Sequence, residues 1–415
     1  MSEILHNWAG NIAYGARAVH SPGSVAEVQA IVRGAAKVRA LGSRHSFNRI
    51  ADTDAELISL RGLNRVIAID KAKRQVVVEG GITYGELCPV LDAAGFALHN
   101  LASLPHISVV GAITTATHGS GEKNRNLAAA VAGLKIVTAS GEILSLSRGD
   151  ARFDGAVVSL GALGIVSEVT LDVQPRFEMR QNVYLDLPFA MMIENFDALV
   201  GSAYSVSFFT GWNGDSVDQV WLKALADAPL RSGELFGARP AERPYHPIAA
   251  IDATPCTEQM GVAGPWHLRM PHFRMEFTPS AGAELQSEYF VGRADAVPAL
   301  KAIHRIQERI APHLLISEIR MVAADDHWMS MNHQRDSVGI HFTWKQDWPA
   351  VSKVLPQIEA ALAPFNPRPH WGKLFTMEPH AVKSRYARLG DFRALLGQHD
   401  PAGKFRNAFV DDYIF

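Results

Sequence analysis

Residues 39–48 read RALGSRHSFN, and this stretch gives the first indication of the fold. Val38 and Ala40 alternate with charged neighbours as in a β-strand, and the strand then breaks into a turn of small and polar residues around His45. Such a turn exposes backbone N–H groups, which suits an anionic ligand. A single histidine in a polar turn is more often a solvated loop residue, so the rest of the chain has to decide its role.

The composition describes a globular protein of two or three domains. The chain has 415 residues, 47% of them apolar, which is enough to bury more than one core. Its formal charge of -2 lacks the excess of Lys and Arg that nucleic-acid-binding proteins carry. Cys88 and Cys256 show no framework spacing, which fits a reducing compartment. Without a signal-peptide pattern or a membrane-spanning window, we expect a cytoplasmic protein that contacts neither nucleic acid nor membrane.

The first 175 residues alternate between strands and helices. From residue 16 to 42 a strand, an amphipathic helix and a second strand follow one another, and Ser24 and Glu27 form a capping box where the helix begins. Thr83 and Glu86 form a second such box after the strand RQVVVEGG. The segments AGLKIVTAS and EILSLS then predict a hairpin. The region is therefore mixed α and β.

From about residue 176 to 373, short segments with period-two alternation dominate. They include YSVSFFTGW, DQVWLK, FRMEFTP, LQSEYFV, LISEIRMV and VGIHFTW. This alternation predicts a large, mostly antiparallel sheet with one packed face. The helical stretches AVPALKAIHRIQERIAP and AVSKVLPQIEAALAP would cover that sheet, and the Pro- and Gly-rich residues 228–250 predict an irregular excursion.

Two of the predicted strands carry polar residues at alternate positions. Glu318 and Arg320 share one face of LISEIRMV, and His341 and Thr343 share one face of VGIHFTW. Four polar groups could therefore converge on one side of the sheet. From alternation alone a plain solvated face is the more common explanation, and we keep that interpretation for FRMEFTP.

Two further stretches are rich in small residues. In HISVVGAITTATHGSGEKN, residues 106–124, backbone amides and hydroxyls could pack against a ligand. In PRPHWGKLF, Gly372 lets the backbone approach a flat ligand while Lys373 reaches over it. No GxGxxG follows a strand and no GxxxxGK[ST] occurs, so neither a Rossmann site nor a P-loop is supported. The lack of HExxH, of clustered Cys and His, and of G-x-S-x-G argues against zinc hydrolases and α/β-hydrolases, and we expect no metal.

Together the motifs resemble vanillyl-alcohol-oxidase type flavoproteins, and among these the alditol (xylitol) oxidases. In chain order they are NWAGN (7–11), LGSRHSFN (41–48), NLASLPHISVVGAITTATHGSG (100–121), GALGIV (161–166), SEIRMVAAD (317–325), HFTW (341–344), HWGK (370–373) and DPAGKFRNAFV (400–410). The resemblance runs over nearly the whole chain, and the joint match of eight ordered motifs is far more specific than any one of them.

The resemblance implies an α+β fold with a non-Rossmann, two-subdomain FAD-binding domain in residues 1–175. A substrate-binding domain in 176–373 would hold the large antiparallel sheet covered by helices, and residues 374–415 would return to the FAD-binding domain. FAD would be attached covalently through His45, with backbone N–H groups of the same loop on the pyrophosphate. Arg44 stands where related enzymes often have glycine. The residues placed at the cofactor are Ala40, Leu41, Gly42, Ser43, Arg44, His45, Ser46, Ser103, Ser108, Gly111, Thr115, Ala116, Thr117, His118, Val166 and His370.

The implied activity is oxidation of the terminal CH–OH group of alditols such as xylitol and sorbitol to the aldose. A hydride would pass to flavin N5, and O2 would be reduced to H2O2. An oxygen that loses its proton in this reaction needs cationic donors. The implied catalytic residues are Lys373, Arg320, His341 and Glu318, and the implied substrate-binding residues are Ser103, Glu318, Arg320, Thr343 and Lys373.

Two alternatives remain at this point. One is an aldonolactone oxidase or dehydrogenase of the same superfamily, because the Glu-x-Arg and HWGK motifs are widely shared. The other is a protein that binds flavin or sugar without turnover, which the converging Lys, Arg, Glu and His side chains disfavour. In each case we expect a monomer whose partner is a small molecule.

Overall fold

The computed structural model describes residues 5–229, 233–278 and 280–415. The α-helices in these ranges are α1 (Val25–Gly34), α2 (Tyr84–Ala93), α3 (Val109–Thr114), α4 (Phe153–Val157), α5 (Phe189–Glu194), α6 (Phe196–Val200), α7 (Ala296–His304), α8 (Gln307–Ile310), α9 (Trp348–Leu362), α10 (Pro379–Lys383), α11 (Leu389–His399) and α12 (Ala408–Tyr413). The strands are β1 (Ala18–His20), β2 (Val38–Leu41), β3 (Glu56–Ser59), β4 (Val66–Asp70), β5 (Gln75–Glu79), β6 (Phe96–Ala97), β7 (Val131–Val137), β8 (Ile143–Ser147), β9 (Ile165–Asp172), β10 (Gln174–Pro175), β11 (Glu178–Pro188), β12 (Ser205–Thr210), β13 (Ser216–Leu225), β14 (Arg239–Pro240), β15 (Gly264–Pro265), β16 (Glu284–Gly292), β17 (Leu314–Val322), β18 (Ser337–Lys345) and β19 (Arg368–Pro369).

Two larger sheets build the N-terminal region, beside a two-stranded sheet of β6 and β10. β1, β3 and β2 form a parallel sheet in which β3 lies between the two strands that flank α1. β4, β5, β9, β7 and β8 form an antiparallel sheet in that order, and β7 with β8 is the predicted hairpin. The fold is thus α+β, and its N-terminal part consists of two sheet units rather than one doubly wound sheet.

The two predicted capping boxes differ in outcome. At α2 the box is complete, since Thr83 and Glu86 each accept from the other's backbone N–H. At α1 the Ser24 hydroxyl accepts from the Glu27 N–H as predicted, but the Glu27 carboxylate accepts from the Gly23 N–H and the Ser24 hydroxyl instead of the Ser24 N–H. Only half of the α1 box is therefore present.

The C-terminal half contains a nine-stranded sheet. Its strands follow the order β14-β11-β13-β12-β17-β18-β16-β19, with β15 also on β11, and all its pairs are antiparallel. Five of the six predicted strands are confirmed. The prediction of a strand for FRMEFTP, residues 273–279, is wrong. Residues 273–278 form turns and one bridge, because the N–H of Phe273, like that of His272 before it, donates to the Ser103 carbonyl. Pro279, the last residue of that segment, and residues 230–232 of the predicted excursion lie outside the described residues.

The two faces of this sheet differ in polarity. Ile340, Phe342 and Trp344 of β18 are fully buried on one face, where α9 packs and the Tyr289 hydroxyl donates to Glu359 of that helix at 2.7 Å. The opposite face carries polar side chains from β16, β17 and β18. It faces the loops of residues 100–121, because the Gly121 N–H donates to the carbonyl of Met321 in β17 at 2.9 Å.

A buried arginine links the C-terminal residues to the N-terminal sheets. Arg39 of β2 is 2% exposed, and burial lowers its pKa to about 10, which still leaves it charged at neutral pH. Its guanidinium donates to four carbonyl oxygens from three stretches of chain, those of Ile50, Leu160, Gly161 and Phe405. The Val38 N–H adds a bond to the Lys404 carbonyl.

No helix in the described ranges is long and apolar enough to cross a membrane. Both cysteines are buried free thiols. Burial raises the pKa of Cys88 above its ordinary value and that of Cys256 to about 12, so neither is a reactive thiolate at neutral pH.

Arg39→Lys should lower the free energy of unfolding by about 3 kcal/mol, because one ammonium cannot reach four carbonyls and leaves buried acceptors unpaired. Urea denaturation followed by tryptophan fluorescence measures this loss. The matched control is Arg33→Lys, since Arg33 makes only a long bond to the Gly141 carbonyl at 3.4 Å. The control should change stability by less than about 0.5 kcal/mol. Equal losses in the two variants would contradict a linking role for Arg39.

Candidate active site

Two loops with glycines meet beside β2. The first loop is residues 42–48 and the second loop is residues 100–121. The hydroxyl of Ser43 accepts from the backbone N–H of Ser108 at 3.0 Å, which joins the first loop to the second. A Cβ on Gly42 would lie 2.9 Å from the Ser108 hydroxyl, and one on Gly111 would lie 2.6 Å from it. The Ser108 hydroxyl is buried and has no hydrogen-bond partner among the described residues. Glycine at both positions thus lets the two loops pack closely, and the Ser108 hydroxyl is left as a polar atom that a ligand could bind.

His45 projects from the first loop. Both ring nitrogens are shielded from solvent, and neither has a well-aligned hydrogen-bond partner in the part of the chain that the structure describes. The ring stacks on Trp8, with centroids 5.4 Å apart and an interplanar angle of 19°. Burial, with His106 as a smaller cause, lowers the pKa of His45 to about 4. The imidazole is therefore neutral, and its nitrogens are available to a bound group.

Arg44 occupies a backbone conformation that favours glycine. Its φ is 64°, in the left-handed region, where a side chain costs about 1 kcal/mol or more. Its guanidinium donates to the His6 carbonyl at 3.0 Å, towards the N-terminus of the chain. The backbone of Arg44 thus forms part of the first loop, while its side chain points away from that loop towards His6.

The first loop also fixes the turn HWGK. The amide of Asn48 donates to the carbonyls of Trp371 and Lys373 at 2.8 and 2.7 Å, and the N–H of Phe47 donates to the Gly372 carbonyl at 2.7 Å. A Cβ on Gly372 would lie 3.2 Å from the Ser46 hydroxyl, so a larger residue would press on the loop. The turn that carries Lys373 is thus held directly against the His45 loop.

Lys373 meets the polar face of the sheet. Its Nζ lies 2.8 Å from His341 Nδ1, and His341 Nε2 lies 3.0 Å from the Thr343 hydroxyl. An ammonium can only donate, so His341 Nδ1 accepts and Nε2 carries the hydrogen that Thr343 receives. The predicted residues of HFTW and HWGK form one hydrogen-bonded chain.

A carboxylate that the sequence analysis missed lies at the centre of this group. Glu288 of β16 is fully buried. Its Oε2 accepts from Lys373 at 2.6 Å, and its Oε1 accepts from Arg320 at 3.1 Å and from His118 Nε2 at 3.1 Å. Its neighbour across the strands is His341. Glu288 therefore joins the second loop, the sheet and the HWGK turn.

Glu318 is the second carboxylate of the polar face. It accepts from His272 Nε2 at 2.8 Å and lies 3.5 Å from Arg320 Nε. Arg320 in turn donates to the Ser103 hydroxyl at 3.3 Å. Lys223, buried in β13, holds the segment before His272 by donating to two carbonyl oxygens, those of Met270 and Pro271, at 2.7 Å each.

The neighbouring donors set the charge of both carboxylates: Lys373 and Arg320 are cations, whereas burial lowers the pKa of His118 and lowers that of His272 to about 4. Burial alone would raise their pKa values, but Lys373 and His118 hold the pKa of Glu288 well below its usual range, and Arg320 and His272 do the same for Glu318. Burial lowers the pKa of Lys373, and Glu288 opposes that shift. Burial, with Lys373 as a smaller cause, lowers the pKa of His341 to about 4. The site therefore combines ionised carboxylates with a neutral imidazole.

The structure brings most predicted residues into two groups. The sheet-face group is Ser103, Glu318, Arg320, His341, Thr343 and Lys373, with His118 added through Glu288. The loop group is Gly42, Ser43, His45, Ser46, Ser108, Gly111, Thr115, Ala116 and Thr117, preceded in β2 by Ala40 and Leu41. His370 lies between them, its ring 6.0 Å from that of His118, while Val166 is buried at the start of β9 with its carbonyl towards Gly80.

His118, Glu288 and His370 place one potential ligand atom each within 4.8 Å of one another. Both oxygens of Glu288 already accept from cations, and Lys373 and Arg320 would repel a metal ion at this position. We assign no metal to this cluster.

The sequence held one indication of Glu288. In LQSEYFV the glutamate alternates with Gln286, and both pair with the polar positions of β18, His341 and Thr343. The sequence gave no comparable indication of His272 or Lys223. His272 lies in an irregular segment, and Lys223 looks like any other polar residue of an alternating strand.

Comparison with known proteins adds independent evidence. The profile of the FAD binding domain family matches residues 16–147, and that of D-arabinono-1,4-lactone oxidase matches residues 283–413. The chain is 48% identical to an alditol oxidase from Streptomyces sp. over the full length of both, and 30% identical to L-gulono-1,4-lactone dehydrogenase from Mycobacterium tuberculosis over 99% of both. A solvent-stable cholesterol oxidase has the same fold, with a TM-score of 0.81 at 17% identity over 99% of this chain and 97% of that one.

The fold and the matched FAD binding domain define an FAD-dependent oxidoreductase class. The chain belongs to the vanillyl-alcohol-oxidase type family of FAD flavoproteins, as its motifs had predicted.

Proposed function

We propose that the protein oxidises the terminal CH–OH group of alditols such as xylitol and sorbitol. The observation that carries this proposal is the convergence of Lys373, Arg320, Glu318 and His341 on one buried sheet face beside the His45 loop. The 48% identity to an alditol oxidase over the whole chain supports it.

The two loops fit FAD. The His45 ring and the Ser108 hydroxyl, which lack partners among the described residues, and the close packing of the two loops at Gly42 and Gly111 suit a dinucleotide whose flavin would be attached to His45. When bound, FAD supplies the hydride acceptor for the alcohol carbon and, once reduced, returns its two electrons to O2 to give H2O2.

The cations act on the reacting oxygen. Lys373 and Arg320 donate to the alcohol oxygen and stabilise the negative charge that grows on it as the hydride leaves. Glu288 and Glu318 are held ionised by cations and are weak bases. Lys373 therefore gives one of its protons to the neutral His341 through the 2.8 Å contact, and as it does so its nitrogen takes up the proton of the alcohol.

The remaining polar groups bind the other hydroxyls of the substrate. Glu318 accepts from hydroxyls beyond the reacting carbon, while Ser103 and Thr343 bind their neighbours and fix which carbon faces the flavin. His272 holds the Glu318 carboxylate in place through its 2.8 Å bond. Such a site discriminates against alcohols that lack the extra hydroxyls, because its own polar groups would be left unpaired.

The alternative substrate class is aldonolactones. It is supported by the lactone oxidase profile over residues 283–413 and by the 30% identity to a lactone dehydrogenase. The higher identity to the alditol oxidase favours polyols.

We further propose a cytoplasmic location, which the two buried free thiols support. We also propose the domain division at residues 175 and 373, which the bond of Arg39 to the C-terminal residue Phe405 supports. The monomeric state stays a prediction.

Under nitrogen, xylitol and sorbitol should bleach the yellow colour of the purified protein faster than L-gulono-1,4-lactone does. Admitting air should restore the colour and release H2O2 in equal amount, measured by a peroxidase assay. Bleaching by the lactone alone would favour the alternative substrate class. If neither compound bleached the flavin, the protein would bind without turnover.

The flavin should stay with the polypeptide after acid precipitation, because the His45 nitrogens are buried and free for a covalent bond. Mass spectrometry should find the flavin mass on the peptide that contains His45. His45→Ala should release all flavin into the supernatant. His20→Ala is the matched control, since His20 pairs with Glu56 on the surface, and it should keep the flavin bound. Free flavin in the parent protein would exclude the covalent link.

Glu318→Gln should reduce kcat/KM for xylitol by about 10- to 100-fold, because hydrogen bonds to a charged acceptor contribute roughly 1.5–3 kcal/mol. For 1-propanol, which has no further hydroxyl, kcat/KM should change little. The measurement is the ratio of kcat/KM for the two alcohols in parent and variant, with the thermal midpoint as a check on folding. An unchanged ratio would show that Glu318 does not bind the distal hydroxyls.

A further inference from the structure

Glu288 is the most heavily contacted charge of the site, and neither the sequence motifs nor the alcohol chemistry assigned it a role. Three donors converge on its two oxygens: Lys373 at 2.6 Å, Arg320 at 3.1 Å and His118 at 3.1 Å. Its Oε2 also lies 3.7 Å from His341 Nδ1. One carboxylate oxygen thus faces both members of the Lys373–His341 pair.

The charges of the polar face explain why this position matters. Lys373 and Arg320 are balanced by Glu288 and Glu318 before reaction. When the substrate proton enters the Lys373–His341 pair, the pair gains a positive charge. The negative charge next to that pair is the Oε2 oxygen of Glu288, since Glu318 bonds to His272 and lies 3.5 Å from Arg320 instead.

We propose that Glu288 is a positioning residue that holds Lys373 and His341 together as one proton-accepting pair and stabilises the charge that the pair gains. This inference rests on the proposed alcohol oxidation. The O–H bond of the alcohol breaks as its proton moves to Lys373 Nζ, while Lys373 passes a proton to His341 Nδ1. The C–H electron pair leaves the carbon as hydride, for which bound FAD would be the acceptor, and the carbon–oxygen bond becomes a carbonyl.

Other charged groups around the pair do not replace Glu288. Those that face Lys373, His341 or Glu288 are Arg320 and Glu318 from β17, His118 from the second loop, His370 from the HWGK turn and Glu284 from β16. Arg320, His118 and His370 carry no negative charge. Burial raises the pKa of Glu284, and its carboxylate accepts from the Gln286 amide and the Ala281 N–H rather than from a cation.

The test is the pH dependence of anaerobic flavin reduction by xylitol in Glu288→Gln and Glu288→Asp. The reaction needs Lys373 as ammonium, so the rate falls as pH rises through the pKa of Lys373. Removing an opposite charge at this distance lowers the pKa of a cation by about 1–3 units. In Glu288→Gln the alkaline fall should therefore begin about 1–3 pH units lower than in the parent. Glu288→Asp keeps the charge and should keep the fall near its parental position, even if the rate is lower.

Glu359→Gln is the matched control. Glu359 is a partly buried carboxylate on the apolar side of the same sheet, and it bonds to the neutral groups of Tyr289 and Thr376. This variant should leave the pH profile unchanged. A Glu288→Gln variant that loses rate equally at every pH, with no shift of the alkaline fall, would reduce Glu288 to a packing role and overturn the proposal.

A second measurement does not depend on turnover. Acetic anhydride reacts with neutral amines, so the pH at which Lys373 becomes acetylated, followed by peptide mass spectrometry, reports its protonation directly. In Glu288→Gln this acetylation should begin at lower pH than in the parent and in Glu288→Asp. Identical profiles would overturn the inference, whereas shifted profiles without reduction by any polyol would count against the proposed activity alone.

Discussion

A buried carboxylate with no solvent exposure constrains everything around it. Taking the charge of Glu288 out of water costs several kcal/mol unless cations and hydrogen bonds replace the lost water. Its three partners come from different places in the chain: Arg320 from β17, Lys373 from the HWGK turn and His118 from the second loop. These partners can reach one carboxylate only if the N-terminal loops close over the polar face of the nine-stranded sheet. The fold and the site therefore stabilise each other.

Strand parity predicted the core of this arrangement from the sequence. Glu318 pairs with His341 across β17 and β18. Because the two strands are neighbours, their polar residues at alternate positions share one face of the sheet. What parity could not decide was whether water or protein covers that face. Ser103 and His118, which lie far earlier in the chain, cover the face through their contacts with Arg320 and Glu288. The residue pattern of a strand does not predict such long-range contacts. The ordered family motifs supplied that information.

Other features that the sequence did not predict also depend on contacts between distant parts of the chain. Phe273 follows the alternation of a strand, but its N–H bonds to the Ser103 carbonyl, and a tertiary contact of this kind overrides local preference. Glu288 resembled any polar strand residue until its three partners were in place. Arg44 was recognised as unusual in a loop that often has glycine, and its φ of 64° explains why glycine suits the position. The direction of its side chain, towards His6, could not be read from the sequence.

The closed polar face also explains why an imidazole rather than a carboxylate serves as proton acceptor in the proposed mechanism. A carboxylate accepts a proton readily only where its charge is poorly compensated, and here cations compensate both glutamates. Burial keeps His341 neutral, so its lone pair on Nδ1 remains available to Lys373. The cholesterol oxidase shares the fold at only 17% identity, so the sheet by itself does not determine the substrate. The choice of alcohol must then depend on which side chains occupy this one face, and on how far their charges are balanced before the substrate arrives.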